Sequence, residues 1–556
     1  MAGFNGSKKV PLTEDKRTTL NHEGERVHKL DSLETLFSRV LGSFFGESTF
    51  YEKRNAEDEF KKLVRTINSV DYEDIEYVLK IALLGREHNM IQYPLEILSA
   101  CFNDERFKGN NFVDEEGHNK LRFYSDRIIR RSKDVVDIMA TQINAFGFDV
   151  KHLRGRSKKT RRDIPLPIQL RKCLKSKLES FNEYQLSKGL STGKEVTLAD
   201  CIKLLHPCEK EAKVREGFYR SIIENRVEMG AGKKQIQSEL SKSRNKNSDS
   251  TLKDVKDSLD TSTLMAIVKN LIALYRAGIF KDDESIDSIC SKLTSKKEVQ
   301  SSKLLPFRFY SAFKELRKVS SGDMRSSRNV KKVMDALSVA LDLSIDNLTP
   351  LKGYNAILID TSGSMDYSVS AHSVLTAKEI AAVLGAICFK QGTSDLFVFA
   401  NVCKKITWFT RNSSTLDIVS AVLNTHVGGG TYLSSALQYI FSFPGTKYDN
   451  LILLSDNDCY SIQGNSFSIA ATGWGYDAIN TDTLVNTLIR EKRLNKFYLN
   501  NLLGNDFAVV NTDDYRKNLI TGFSEKFCEM VNIYSRLGER STDIRKVIDA
   551  LLEGID

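Results

Sequence analysis

From about Ser32 onward the chain runs through segments such as LETLFSRVLGSFF, EFKKLVRTINSV, IEYVLKIALLGRE and DVVDIMATQINAFG. In each, apolar residues return every three or four positions, as one buried helix face requires. No strand-like alternation separates them. Helices joined by brief polar turns, with no strand between, predict stacked helical hairpins of the HEAT kind, an α-solenoid rather than a single bundle. The same pattern continues through TLMAIVKNLIALYRAGI and PFRFYSAFKELRKV to DALSVALDLSIDNL, where Pro350 and Gly353 interrupt it. Beyond that point apolar strands alternate with helices: NAILID, AKEIAAVLGAICFK, SDLFVFA, LDIVSAVLNTHV, LSSALQYIFSF and NLILLSD, with NDFAVVNT closing the series. Near-continuous apolar strands between helices of about 12 residues predict a doubly wound parallel α/β sheet buried on both faces.

Three regions follow from this pattern. Residues 1–27 are polar and without period and are expected to form a flexible tail, residues 28–350 a helical repeat domain, and residues 351–556 an α/β domain. The chain's 556 residues exceed the roughly 250 to 300 that one core serves, so more than one unit is required. The Ser-rich stretch 241–263 reads as a loop projecting between helical pairs.

Composition adds little until charge is divided by region. Nine cysteines stand singly, with no Cys-x-x-Cys pair, which argues against a disulfide framework. Neither a leading apolar run nor a stretch of about 18 apolar residues is present, so a soluble, reduced, cytoplasmic protein without a membrane span is expected. The net charge is +9. Residues 351–556 hold 18 Lys/Arg against 21 Asp/Glu, while residues 1–350 hold 63 against 51. A basic excess confined to the helical part suits a polyanion-binding surface, because each neutralised phosphate releases counterions. A merely soluble basic surface would show the same sum.

Within that part, KHLRGRSKKTRRDIPLPIQLRKCLK (151–175) carries Arg154, Arg161, Arg162, Arg171, Lys172 and Lys175 among its basic residues and Asp163 as its single acid. Just upstream, His118, Lys120, Arg122, Arg127, Arg130, Arg131 and Lys133 fall on a predicted helix. Guanidinium and ammonium groups gathered on one face are what phosphate contacts need, although solvated helix faces carry such runs too. Cys201, His206 and Cys208 provide only three potential zinc ligands.

In the α/β part, Asp360-Thr361-Ser362-Gly363-Ser364 follows directly on a predicted strand, at the carboxyl edge where open α/β sheets bind ligands. One carboxylate and two hydroxyls on one tight loop are hard donors suited to Mg²⁺. Thr431, ending GGGT, and Asp456, in LLSDND, lie on further loops. This arrangement resembles the metal-ion-dependent adhesion site of von Willebrand A domains. The resemblance implies that Ser362, Ser364 and Thr431 ligate the ion directly or through water, that Asp360 and Asp456 hold the waters, and that one position stays open for a partner's acidic side chain. The stretch after Asp456, which contains Trp474 between two glycines, and the 241–263 insertion match no pattern.

Both domains together resemble the Ro family, whose TROVE domain is a ring of HEAT-like helical hairpins closed by a von Willebrand A domain. The resemblance is carried by ALLGREHNMIQYPLEILSACF, YQLSKG then VTLADCIKLLHP, MAIVKNLIALYRAGI, LLPFRFYSAF, ALSVALDLSIDNLTPLKGYNAILIDTSGSM and KFYLNNLLGNDFAVVNTDDYRKNLITGF, over about residues 30 to 535. It implies a monomeric ring that binds non-coding RNA, with single-stranded 3′ ends of misfolded RNAs threading a basic hole and Y-type RNA on the outer face. Lys188 and His206 fall within the fragments resembling the hole-lining helices. An exoribonuclease or an acidic protein ligand is an expected further partner. The alternative is a metal-dependent interaction scaffold to which RNA is incidental. No Gly-x-x-x-x-Gly-Lys loop, nucleophile elbow or paired catalytic acids stand out, so no enzymatic activity is expected.

Overall fold

The computed structural model describes residues 18–22, 26–42, 55–145, 166–190, 194–227, 256, 259, 262–319, 324–369, 373–459, 481–522 and 526–553. The helical part holds α1 (Ser32–Gly42), α2 (Ala56–Asn68), α3 (Ile75–Glu87), α4 (Gln92–Cys101), α5 (Lys120–Ile128), α6 (Ser132–Ala145) and α7 (Ile168–Ser180). It continues with α8 (Glu183–Ser187), α9 (Leu198–Leu205), α10 (Phe218–Ile223), α11 (Leu264–Arg276), α12 (Asp283–Thr294), α13 (Lys296–Ser302), α14 (Pro306–Arg317) and α15 (Met324–Ile345). Local signals set the ends. Asn182 with Gln185 and Thr197 with Asp200 form reciprocal capping boxes at α8 and α9, which satisfy amide donors that a helix start leaves open. Pro306, which has no N–H to lose, opens α14.

The α/β part comprises β3 (Tyr354–Asp360), α16 (Ala377–Gln391), β4 (Thr393–Phe399), β5 (Cys403–Ile406), α17 (Thr415–Asn424), α18 (Leu433–Ile440) and β6 (Tyr448–Ser455). After these come α19 (Thr481–Arg490), β7 (Leu494–Asn501), β8 (Phe507–Ala508), β9 (Lys517–Thr521), α20 (Phe527–Leu537) and α21 (Ile544–Leu552). The sheet order is β5-β4-β3-β6-β7-β9, parallel except for the antiparallel edge strand β5. The fold is thus the expected helical repeat array followed by a doubly wound α/β domain. Ala356, Leu358, Leu451 and Leu453 line one face of the sheet with α18 and α19. Ile357, Ile359, Ile452 and Leu454 line the other, continuous with the core of the helical domain.

Both ends of the helical array rest on the α/β domain. At the first end, Arg39 of α1 donates to both carboxylate oxygens of Asp506 at 2.6 and 2.8 Å, and Tyr77 and Lys80 of α3 donate to Asp549 at 2.8 and 2.6 Å. At the last end, Lys314 of α14 pairs with Glu379, and Lys390 donates to Asp342 of α15 at 2.6 Å. The chain therefore closes on itself through its C-terminal domain.

Three expectations need correction. The stretch 1–27 is not wholly a tail: β1 (Thr18–Leu20) pairs antiparallel with β2 (Arg26–Lys29), and β2 pairs with β8. Strands of three and four residues are too short to show a period. NDFAVVNT does not close the main sheet, since only Phe507–Ala508 is strand and it belongs to this small second sheet. The outer position is taken by β9, from KNLIT. Finally, the predicted basic helix through residue 133 is broken between Ile128 and Ser132, because the Asp134 carboxylate draws the backbone N–H groups of Arg130 and Arg131 at 3.0 and 3.1 Å and starts a new helix.

Candidate nucleic-acid interface and cation site

The break between α5 and α6 fixes the first cations. Asp134 is fully buried and accepts from Arg86 at 2.7 Å and from Arg131 at 2.5 and 2.9 Å. A buried carboxylate shared by two guanidiniums holds Arg131 by one edge while the rest of that side chain stays in solvent. Ser132, the next residue, donates its hydroxyl to the Gln185 carbonyl at 2.5 Å. Gly189 lies so close to Ser132 that a Cβ there would meet its hydroxyl at 2.5 Å. This contact seats the α8 turn, which ends at Lys188, on the start of α6. Lys188 lies 5.1 Å from the Tyr184 ring centroid.

Two further cations join Arg131 and Lys188. Lys269 on α11 and Arg308 on α14 are exposed residues of helices that pack together. Although the residue is exposed, partial desolvation of its ammonium, and then the positive charges of Arg308, Lys188 and Arg131, hold Lys269 below its usual range. Arg308, Lys188 and Arg131, from three other segments, thus lie near enough to Lys269 for their charges to act on it. Like charges so arranged destabilise the empty protein and are repaid when a polyanion enters. Sequence reasoning missed Lys269 and Arg308, since neither belongs to a charge run. The one available signal was that Lys269 is the single charge in the apolar stretch LMAIVKNLIALY.

In the α/β domain, Asp360, Ser362, Ser364, Thr431 and Asp456 are all buried and stand at strand ends or on the loops beside them. Asp360 accepts from the Ser362 amide at 2.9 Å and from the Ser455 hydroxyl at 2.6 Å, which ties the ends of β3 and β6. The Ser362 and Ser364 hydroxyls lie 3.2 Å apart. The Gly363 amide donates to the Gly429 carbonyl at 3.0 Å, drawing the GGGT loop onto the Asp-x-Ser-x-Ser loop. Burial and the nearby Asp456 charge push the Asp360 carboxyl up. Hard oxygen donors around two buried acids suit a small divalent cation.

Comparison with known proteins adds two findings. The TROVE domain pattern matches residues 260–334, the segment that carries Lys269 and Arg308. The crystal structure of the Ro (RSR) protein of Deinococcus radiodurans is similar at 13% sequence identity with a TM-score of 0.54, over 94% of this chain and 99% of that one. The chain carries the TROVE signature and the Ro fold. A comparison with curated protein sequences found no match.

Within this Ro fold the sequence-predicted cations divide into groups. Arg127 lies on α5, and Arg130 donates to the Arg127 carbonyl at 2.9 Å while pairing with Glu87. Arg171 and Lys172 are exposed on α7, and Lys175 lies 3.7 Å from Glu179. Arg154, Arg161 and Arg162 fall outside the described residues, as do Trp474 and nearly all of 241–263. His206 ends α9 in a left-handed turn (φ 48°, ψ 60°) and lines a cleft of about 670 Å³ with Lys203, Glu209, Lys210 and Tyr219. Cys201 is buried in the core while His206 is exposed, so those two side chains do not share a ligand sphere. No described helix is long and apolar enough to cross a membrane.

Proposed function

We propose that this chain is an RNA-binding protein of the Ro type, which takes single-stranded 3′ ends of misfolded RNAs into the space lined by Arg131, Lys188, Lys269 and Arg308. The reading is supported by the TROVE match over residues 260–334 and the Ro-type fold, together with the charges of Arg131, Lys188 and Arg308 that act on Lys269 within that segment. A positively charged passage would favour a free single strand, whose exposed bases and flexible backbone follow such a surface better than a stiff A-form duplex does. Structured, Y-type RNA binds the outer surface. The protein acts in the cytoplasm in RNA quality control or processing, without catalysing a reaction itself, and hands RNA to a partner such as an exoribonuclease.

In the same reading, Ser362, Ser364 and Thr431 hold a divalent cation, with Mg²⁺ the best match to the donors, while Asp360 and Asp456 carry its water shell. The cation supplies a positive centre for a partner's acidic side chain. This supports a scaffold role alongside RNA binding.

A gel-retardation titration tests the main reading. An RNA duplex with a 3′ single-stranded tail is expected to bind far more tightly than the same duplex with blunt ends, and binding should weaken steeply with salt. Equal affinity for the two, or affinity independent of salt, would overturn it.

A further inference from the structure

Phe123 stands 47% exposed on α5. Arg127, one turn further on, lays its guanidinium over the ring with Cζ 3.7 Å from the centroid. Tyr124, itself buried, braces Phe123 edge to face at 5.3 Å and 86°. The ring is thus held from one face and one edge while about half of its surface remains in water. An apolar ring left in water forgoes the free energy of its own burial, so its openness suits a face that something covers.

The surroundings indicate what covers it. Arg122 is exposed on the same helix, and α7, packed against α5, presents Arg171 and Lys172. Arg130 donates to the Arg127 carbonyl, and Arg131, which follows it, is one of the charges that act on Lys269. Arg122, Arg127, Arg130 and Arg131 therefore run along Phe123's helix and past its end in sequence, the last two holding Glu87 and Asp134 as well. An aromatic face amid phosphate-binding cations is the combination that proteins use for single strands, because every base offers a π-face to stack on and every nucleotide a phosphate to neutralise.

We propose that Phe123 is a stacking platform for one unpaired base of the bound RNA, with Arg127 beneath the ring and the strand's phosphates following Arg122, Arg130 and Arg131. This inference rests on the RNA-binding reading and adds to it a site that takes a base rather than a phosphate.

The test uses an RNA hairpin with a 3′ single-stranded tail carrying 2-aminopurine at successive tail positions. The unsubstituted protein is expected to quench one position strongly. Phe123→Leu should abolish that quenching and weaken binding roughly 5- to 100-fold, the range for losing one stacked base, while the salt dependence of affinity stays unchanged. Phe123→Trp should restore both quenching and affinity. Phe123→Leu leaving affinity and quenching as they were would overturn the platform while the RNA-binding reading stands. Loss of both in Phe123→Leu and in Phe123→Trp alike would also overturn it, as damage to the helix. Failure of the unsubstituted protein to bind any tailed RNA would overturn the underlying reading and the platform with it.

Discussion

Replacing Arg39 by Met should loosen the contact between the first helix and the α/β domain. The Arg39 side chain, 5% exposed, serves two acids: it donates to Asp506 at 2.6 and 2.8 Å and to Glu59 at 3.0 Å. Tyr93 also donates to Glu59 at 2.7 Å, and Lys62 reaches Asp506 at 3.0 Å. Burial alone would raise the Asp506 carboxyl, but the charge and hydrogen bonds of Arg39, with help from Lys62, hold it at about 2. Lowering it from an unfolded value near 3.9 contributes about 2 kcal/mol at neutral pH once partial exposure is allowed for. Stripping the cation from buried Glu59 adds to this, so the substitution should cost about 3 kcal/mol, at the low end of the range for breaking a buried pair because Lys62 and Tyr93 remain. The folded carboxyl is the more acidic one, so its contribution is complete above the unfolded value and fades as pH falls from about 4 toward 2. Urea unfolding of both proteins at neutral and acidic pH measures it. The stability difference should shrink by roughly 1.4 kcal/mol between about pH 7 and pH 2.5. A difference below about 1 kcal/mol at neutral pH, or one that does not change with pH, would refute the reasoning.

Three other outcomes follow from the same contacts. Gly522 sits at φ 92° directly against the Leu41 carbonyl, so Gly522→Ala should lower stability by about 2 kcal/mol or more in thermal melts, through backbone strain and displacement of α1. Asp360→Asn should abolish stoichiometric Mg²⁺ binding in calorimetry while leaving RNA retardation intact. A variant that still binds one Mg²⁺ would remove Asp360 from the site. Among the nine cysteines, Cys208 alone is not buried, so the native protein should show one fast-reacting thiol with Ellman's reagent and the remainder only after unfolding.

The architecture was legible because period is a local property. The helical spacing in IEYVLKIALLGRE and the apolar strands NAILID and NLILLSD became α3, β3 and β6 within a residue or two. The Asp-x-Ser-x-Ser loop was legible because its donors are neighbours in sequence and its place after a strand dictates which sheet edge it reaches. β1, β2 and β5 were not, since three or four residues cannot establish alternation, and the partner that ties β2 to the rest of the fold, β8, lies far along the chain. The basic helix was read as continuous because its break depends on where the Asp134 side chain turns, a choice between two helix starts that charge and period do not distinguish. Lys269 and Arg308 were missed for a related reason. Each is one cation on an ordinary amphipathic helix, and only the tertiary fold brings the charges of Arg131 and Lys188 to bear on Lys269. Phe123 was passed over because an aromatic residue on a helix reads as core until its exposure is seen.

The meeting of Arg131, Lys188, Lys269 and Arg308 with the RNA strand is the central claim, and the salt dependence of RNA binding tests it most directly. Affinity for a 3′-tailed RNA would be measured across a series of salt concentrations for the natural chain and for the variant combining Arg131→Gln, Lys188→Gln, Lys269→Gln and Arg308→Gln. For single strands each phosphate contact contributes about 0.7 to the slope of log affinity against log salt. If all four cations meet the strand, the slope should fall by roughly three and the preference for tailed over blunt RNA should disappear. An unchanged slope with the preference intact would show that RNA enters elsewhere and would contradict the account.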